Sequence, residues 1–354
     1  MTMVYGLRVN HHATDHGQLI LDGIRPALRA IGWREGGIGA TLRPHWLDGP
    51  HLLIGLDIPS DDGPDRWTVV ADVVQRWLDD EPPRPHLDEA AFRARAKKLA
   101  ELEDLPYEPG PIRPDRHVER GHFAVPHPLG RMALAPLRDG FKAATLEDVF
   151  ELVELRLRSP SEALVELAFR IVCLERLAWR DGLNFWPLSL QGQAHASSKA
   201  FSSIAKTFPE RLAVLQPALL ARVRQEGMLD GALAASERSC AWICRLQIAY
   251  EQLLRFLDTA EPDFVRNVNA QVMAPFKAGM GTMNSIDTQT IAAMDHPTQF
   301  AYRMLMNALY DMFPAIGFGA SQRFLVCHLV TDMLEAHFPG ILSRSYAHGA
   351  VLCR

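Results

Sequence analysis

The chain has 354 residues, of which 48% are hydrophobic and 22% charged, and its formal net charge at pH 7 is −5. This composition excludes a disordered chain and a protein that grips nucleic acid through bulk positive charge. No stretch reaches the roughly 18–20 uncharged apolar residues of a membrane helix, and the first residues lack the basic and apolar regions of a signal peptide. The five scattered cysteines predict buried thiols rather than disulfides. We therefore expect a cytoplasmic globular protein that binds neither nucleic acid nor membrane.

The N-terminal part alternates strand and helix patterns. Short runs of apolar and β-branched residues, bounded by turn-forming residues, predict strands at 4–9, 40–44 and 51–58. Apolar residues at helical spacing predict helices at 18–31 and 67–78.

Prolines and histidines are dense between residues 82 and 136. Apart from a charged helix predicted at 88–102, we expect extended connecting chain here, because proline fixes φ and removes an N–H donor. After Thr145 the apolar spacing is almost entirely helical, and a strand-like tail follows at 347–352. The predicted helices lie at 146–157, 161–180, 211–225, 234–257, 263–276, 288–313 and 321–338.

These patterns predict an α+β fold, with a small N-terminal mixed α/β layer of antiparallel strands packed on a larger, mostly helical body. We divide it into an N-terminal α/β part (1–105), a Pro-rich connecting segment (106–144) and the helical body (145–354).

The sequence lacks the familiar motifs for cofactors and metals. The glycines at 36, 37 and 39 precede a predicted strand, so no helix N-terminus follows them to hold a phosphate. His117, His122 and His127 recur every five residues beside prolines, which forbids alignment on one helix. We therefore expect no cofactor and no metal site.

Three stretches, taken together, resemble the C-terminal elimination domain family of lanthipeptide dehydratases. These domains remove glutamate from glutamylated Ser or Thr to leave dehydroalanine. A family strand close to G-P-H-L-R-L-R corresponds to residues 49–56, which read Gly-Pro-His-Leu-Leu-Ile-Gly-Leu. The family segment Y-E-x-E-x-x-R-Y is echoed at 107–113, and the helix L-x-H-M-x-x-N-R-L at 326–334, where His328 takes the histidine position.

The departures from this pattern change the implied function. In the family, strand arginines hold the departing glutamate, because a guanidinium matches a carboxylate in a bidentate fashion. Here those positions are Leu53 and Gly55, and the family Asn-Arg pair is Asp332-Met333. In this respect the chain resembles the stand-alone pyridine synthases of thiopeptide biosynthesis.

This resemblance implies a lyase/cyclase-type enzyme without a cofactor. Its substrate would be a ribosomally made precursor peptide that carries azoles, dehydroalanines and a leader. Two dehydroalanines would join by formal [4+2] cycloaddition, and loss of water and leader would leave a pyridine that closes a macrocycle. The alternatives are a glutamate-eliminating subunit of a split lanthipeptide-type dehydratase and a non-catalytic precursor-peptide binding module. Replacement cationic side chains converging on the pocket at Leu53 and Gly55 would assign the protein to β-elimination instead of ring formation.

Candidate site residues follow from what this reaction requires. Forming an iminol and expelling water and an amide require positioned donors and acceptors, for which the catalytic candidates are Tyr302, Ser285 and His328. The substrate-binding candidates are Glu108, Trp186, Gln289, Tyr310 and His51. Leader peptides of this class are usually acidic, and the basic candidates that would bind one are Arg93, Arg95, Lys97 and Lys98. These candidates also have plain structural alternatives. Ser285 could be a helix N-cap, Tyr302 a buried tyrosine and His328 a core histidine. Trp186 could be a core aromatic at a helix end, and the basic residues could form a solvated helix face.

Overall fold

A computed structural model describes residues 2–33, 38–46, 48–57, 63–82, 86–102, 110–125, 135–180, 206–227, 237–270 and 295–337. The chain divides into two compact units, Met1–Leu157 with Pro314–Gly317, and Arg158–Phe313 with Phe318–Arg354. The first unit contains an antiparallel β-sheet and the second is helical, so the predicted α+β class is confirmed. Over the described ranges, none of the helices has the length and apolar character needed to cross a membrane.

The sheet has four antiparallel strands in the order β2–β3–β1–β4. Their bounds are Thr2–Asn10 (β1), Gly39–His45 (β2), His51–Asp57 (β3) and His117–Val125 (β4). The three strands predicted from sequence are present. β4 lies where connecting chain is predicted, and the structure corrects that prediction: prolines 114 and 126 flank the strand but none falls within it.

One face of the sheet forms the core of the first unit. Side chains alternate along a strand, and this face carries Leu7, Val9, Leu52 and Ile54, all at most 1% exposed. The predicted helix at 18–31 is present as a π-helical turn, Leu19–Ile24, that continues into α1, Arg25–Ala30. Helix α2, Gly63–Asp80, covers the same face, where the Trp67 ring lies 5.3 Å from that of Tyr5.

The opposite face, which we call the Leu53 face, carries Gly6, Arg8, Arg43, Leu53 and Gly55. The register places these residues side by side on β1, β2 and β3. Helix α4, Ala135–Ala144, packs against β2, and α3 and α5 span Glu89–Leu102 and Leu146–Arg158.

The second unit is built around helix α6, Pro160–Arg180. Nearly every residue of α6 between 163 and 175 is buried, as expected for a helix surrounded by other helices. Among the described residues, the helices that pack against it are α7 (Phe208–Gln225), α8 (Glu237–Thr259), α9 (Pro297–Tyr310) and α11 (Ala320–His337). Residues 264–270 are also helical, and the short α10 spans Met312–Ile316. The strand-like tail at 347–352 lies outside the described residues.

Candidate functional site

A pocket lies on the Leu53 face. Its lining includes Leu53 and Phe123, the glycines Gly6 and Gly55, and the pair Arg43 and Asp139. Leu53 and Gly55, which the sequence resemblance matches to family arginines, therefore line one pocket, and they contribute an isobutyl group and bare backbone to it.

Close backbone packing explains why glycines form the floor of this pocket. Across the sheet, Thr41, Gly55, Gly6 and Gly121 stand in register on β2, β3, β1 and β4. A methyl group on Gly55 would lie 2.6 Å from the Thr41 Oγ1 atom, and one on Gly6 would lie 2.5 Å from the Ile54 carbonyl oxygen. An arginine at position 55 therefore requires Thr41 to move.

Two guanidinium groups flank Leu53, because Arg8 and Arg43 are its partners on the neighbouring strands. Arg43 lies 3.5 Å from an Asp139 carboxylate oxygen. Arg8 is 6% exposed and lies 3.7 Å from an Asp48 carboxylate oxygen. Each guanidinium thus already has a carboxylate of this chain beside it, and that carboxylate would compete with a substrate carboxylate.

Two histidines of the Leu53 face, His51 and His45, add no positive charge to it. His51, a predicted substrate-binding residue, is 3% exposed, and its Nδ1–H donates to the Gly49 carbonyl oxygen at 2.8 Å. Burial, together with the charge of Arg8, lowers the pKa of His51 well below its usual value. Burial likewise lowers the pKa of His45, its partner on β2, to about 4. Both imidazoles are therefore neutral near pH 7.

A second polar cluster is buried in the helical unit. Tyr302 of α9 donates its hydroxyl hydrogen bond to Oε1 of Glu175 on α6, and both residues are 0% exposed. Burial raises the pKa of Glu175 to about 8, against the opposing effect of the hydrogen bond from Tyr302. Glu175 is therefore predominantly a neutral carboxylic acid at pH 7.

Glu175 was not among the residues predicted from sequence, although a signal for it exists. On α6 it follows Ala168, Ile171 and Val172 at helical spacing, so it lies on a stripe of buried apolar residues. A carboxylate on such a stripe is rarely buried without a partner, so this position in the sequence predicts a buried, hydrogen-bonded carboxyl group.

Tyr310, another predicted substrate-binding residue, lies beside Cys327 of α11. The Tyr310 hydroxyl is 3.4 Å from the Cys327 Sγ atom, and both side chains are buried. Burial raises the pKa of Tyr310 well above its usual value and that of Cys327 to about 11. The thiol is therefore protonated near pH 7 and is a poor nucleophile.

His328 lies between α11 and α7. Its ring makes an edge contact with Phe208, with the ring centroids 5.4 Å apart. Burial raises the pKa of Asp332, one turn further along α11, and the neighbouring His328 opposes this shift. Gln216 of α7 donates to the Asp332 carboxylate at 2.9 Å. The structure therefore places His328 toward α7 and Tyr302 toward α6.

The basic candidates on α3 differ from one another. Arg95, Lys97 and Lys98 are exposed. Arg93 donates from Nε to the Glu89 carboxylate at 2.8 Å and from a terminal nitrogen to the Gly110 carbonyl oxygen at 3.1 Å. Arg93 is thus already bound within the chain, which leaves three solvated cations to attract an acidic peptide.

The remaining candidates, Ser285, Glu108, Trp186 and Gln289, lie outside the described residues. Within the ranges that the structure describes, no group of three or more His, Cys, Asp and Glu side chains could hold a metal ion.

Solved structures resemble the whole chain. The pyridine synthase TbtD from thiomuracin biosynthesis matches with a TM-score of 0.62 and 25% sequence identity, over 95% of this chain and 98% of that chain. The crystal structure of TsrL matches in fold with a TM-score of 0.59 and 15% identity, over 96% and 97% of the two chains. No family model and no curated protein matches the sequence. The chain has a thiopeptide pyridine synthase-like fold, as the sequence resemblance predicts.

Proposed function

We propose that this chain, with the fold of a thiopeptide pyridine synthase, joins two dehydroalanines of a modified precursor peptide by formal [4+2] cycloaddition. Water and the leader peptide are then lost, and the pyridine that forms closes a macrocycle. The observation that carries the proposal is the pocket on the Leu53 face, where Leu53 and Gly55 replace a carboxylate grip. The likeness to TbtD over nearly the full chain supports the same assignment.

Positioning is the main demand of such a reaction. Holding two alkenes in near-attack geometry lowers the barrier by about 7–11 kcal/mol, whereas closing a long loop costs a few kcal/mol. Uncharged alkenes and amides have no charge for a guanidinium to bind, and a pocket of backbone, Leu53 and Phe123 suits them. The only anion that lines this pocket among the described residues, Asp139, lies 3.5 Å from Arg43 and so partly offsets its charge.

The amide that becomes the diene passes through its iminol form, and then water and an amide depart. Each step needs a proton donor or acceptor, which typically contributes a factor of about 10²–10⁴ in rate. We assign these roles to Tyr302, Ser285 and His328. Contacts to the peptide are proposed for Glu108, Trp186, Gln289, Tyr310 and His51. The leader is proposed to bind at α3. The precursor peptide to which it belongs is proposed to carry azoles and dehydroalanines.

One experiment tests this function against its alternatives. The protein is incubated with a fully dehydrated, azole-bearing precursor and, separately, with the glutamylated precursor, and both products are analysed by mass spectrometry. We expect a macrocycle and a released leader carboxamide from the first peptide, and no dehydroalanine from the second. Binding of both peptides without any change in mass would identify a non-catalytic binding module instead.

β-Elimination is the second candidate, because Arg8 and Arg43 flank Leu53 on the Leu53 face. A glutamate bound there would compete with Asp48 and Asp139 for these guanidinium groups. New dehydroalanine in the glutamylated arm of the experiment, without ring formation in the other arm, would establish this candidate.

We expect Leu53→Arg to slow macrocycle formation at least about tenfold. The new guanidinium would stand between Arg8 and Arg43, where like charges repel, and its side chain would occupy the pocket. Leu53→Met is uncharged and similar in volume, so its rate of macrocycle formation should stay within about threefold of the wild-type rate. Initial rates, with circular dichroism to confirm folding, check both variants. A wild-type rate for folded Leu53→Arg would remove this pocket from the reaction.

Reversing two solvated charges on α3 should weaken leader binding. We expect Arg95→Glu with Lys98→Glu to raise the Kd for an acidic leader peptide about tenfold at low ionic strength, and less at high ionic strength, because salt screens exposed charges. Arg255→Glu on α8, where the side chain is 78% exposed, is the matched control. Anisotropy of a labelled leader gives the Kd. Equal affinities for the wild type and the α3 variant would mean that the leader binds elsewhere.

A further inference from the structure

The buried cluster at Glu175 contains a polar atom without a hydrogen-bond partner. That atom is Oε2 of Glu175, which has no such partner among the described residues. Glu175 is 0% exposed. Buried polar atoms are nearly always paired in folded proteins, so this unpaired oxygen calls for an explanation.

The pairing of Tyr302 with Glu175 determines where a proton is held. Tyr302 donates to Oε1, so an ionised Glu175 would be a buried charge with a single hydrogen bond to offset it. A buried charge of that kind is strongly disfavoured, and protonation removes it. The acid proton then belongs on the side of Oε2.

The ionisable groups on the helices around α6 do not supply a counter-charge to Glu175. Tyr302 and Tyr310 face it from α9, and Cys327 and Arg323 lie on α11, where the Arg323 guanidinium is 5.5 Å from the centre of the Tyr310 ring.

On the other two helices packed against α6, the cations contact other groups. Arg222 of α7 is 3.1 Å from a Glu166 carboxylate oxygen, and Arg245 of α8 lies over the Trp242 ring at 6.0 Å. Across the part of the chain that the structure describes, Glu175 has no ion-pair partner, which agrees with its neutral form.

We propose that Glu175 is a positioning residue for Tyr302: as a neutral acid it orients the phenol through a weak hydrogen bond, which the phenol exchanges for one to the reacting peptide when it transfers its proton. This inference rests on the proposed function, in which Tyr302 is the proton donor. An ionised Glu175 would bind the same proton through a stronger, charge-assisted hydrogen bond and would withhold it.

The proposal predicts a specific pH profile for macrocycle formation. Burial raises the pKa of Glu175 to about 8, so the wild-type rate should fall above that pH, approaching about tenfold per pH unit. Glu175→Gln keeps a neutral acceptor for Tyr302, so it should retain the rate near pH 7 within about threefold and lose the fall above pH 8.

Tyr302→Phe and a double variant complete the test. Tyr302→Phe should be at least about tenfold slower than the wild type near pH 7 and should lack the fall above pH 8. Adding Glu175→Gln to it should change neither the rate nor its pH dependence, because the two residues act as one unit. Wild-type behaviour of Glu175→Gln across the whole pH range would overturn the proposal. So would a further loss of rate in the double variant relative to Tyr302→Phe.

Failure of the proposed function is distinguishable from failure of this inference. A folded wild type that makes no macrocycle would overturn the proposed function, and the positioning role with it. Whether Glu175 is protonated is then tested by a measurement that does not depend on activity, the pH dependence of the free energy of unfolding in the wild type and in Glu175→Gln. Parallel pH dependences would show that Glu175 is not held as a neutral acid.

Discussion

The free energy of unfolding should fall by about 5 kcal/mol more in the wild type than in Glu175→Gln as the pH rises from about 4.5 to about 8. Burial raises the pKa of this carboxyl from its ordinary value of 4.5 to about 8. Below pH 4.5 both states hold the proton. Between the two values only the unfolded chain releases it, which favours unfolding. Above pH 8 both states are ionised and the loss is complete.

Denaturant titrations at pH values below and above this window measure the effect for each variant. The matched control is Glu162→Gln, which removes a carboxylate from an exposed position on the same helix and should reproduce the wild-type decline. The prediction fails if Glu175→Gln loses stability with pH as steeply as the wild type does. That result would mean that water or a counter-charge reaches Glu175.

Gly6→Ala should destabilise the first unit by about 3 kcal/mol. Its methyl group would lie 2.5 Å from the Ile54 carbonyl oxygen, and β1 is held on both sides by β3 and β4. The clash is with backbone, so a side-chain rotation cannot relieve it, and the central strands must move apart.

Gly121→Ala is the control for this variant, because Gly121 is the partner of Gly6 on β4. A methyl group there meets only a Phe123 ring carbon at 3.9 Å. We expect its stability to stay within about 0.5 kcal/mol of the wild type. Urea unfolding measures the free energy of unfolding of both variants. Equal values would mean that β1 and β3 separate more easily than their register suggests.

Local patterns in the sequence were sufficient to predict most of the elements. Helical spacing predicted α2, α3 and α6 to within four residues at each end, because a helix is stabilised by neighbours three and four positions apart. Strand β4 was not predicted from these local patterns. Its place is set by pairing with β1, more than a hundred residues earlier in the chain, and the surrounding prolines suggested irregular chain.

The candidate site was predictable only in part. The replacement of two family arginines by Leu53 and Gly55 is visible in the sequence. The sequence does not show that Arg8 and Arg43 flank Leu53, or that Asp48 and Asp139 balance their charges, since both facts depend on strand register and on helix packing.

The sequence by itself determined the α+β class and most helix and strand positions, because both follow from residue type and short-range spacing. The tertiary structure alone decided that Glu175 meets Tyr302, which is 127 residues away. It also decided that burial raises the pKa of this carboxyl group, because that pKa depends on how completely the surrounding helices exclude water. Burial and long-range pairing are properties of the packed chain, and local sequence carries no direct record of them.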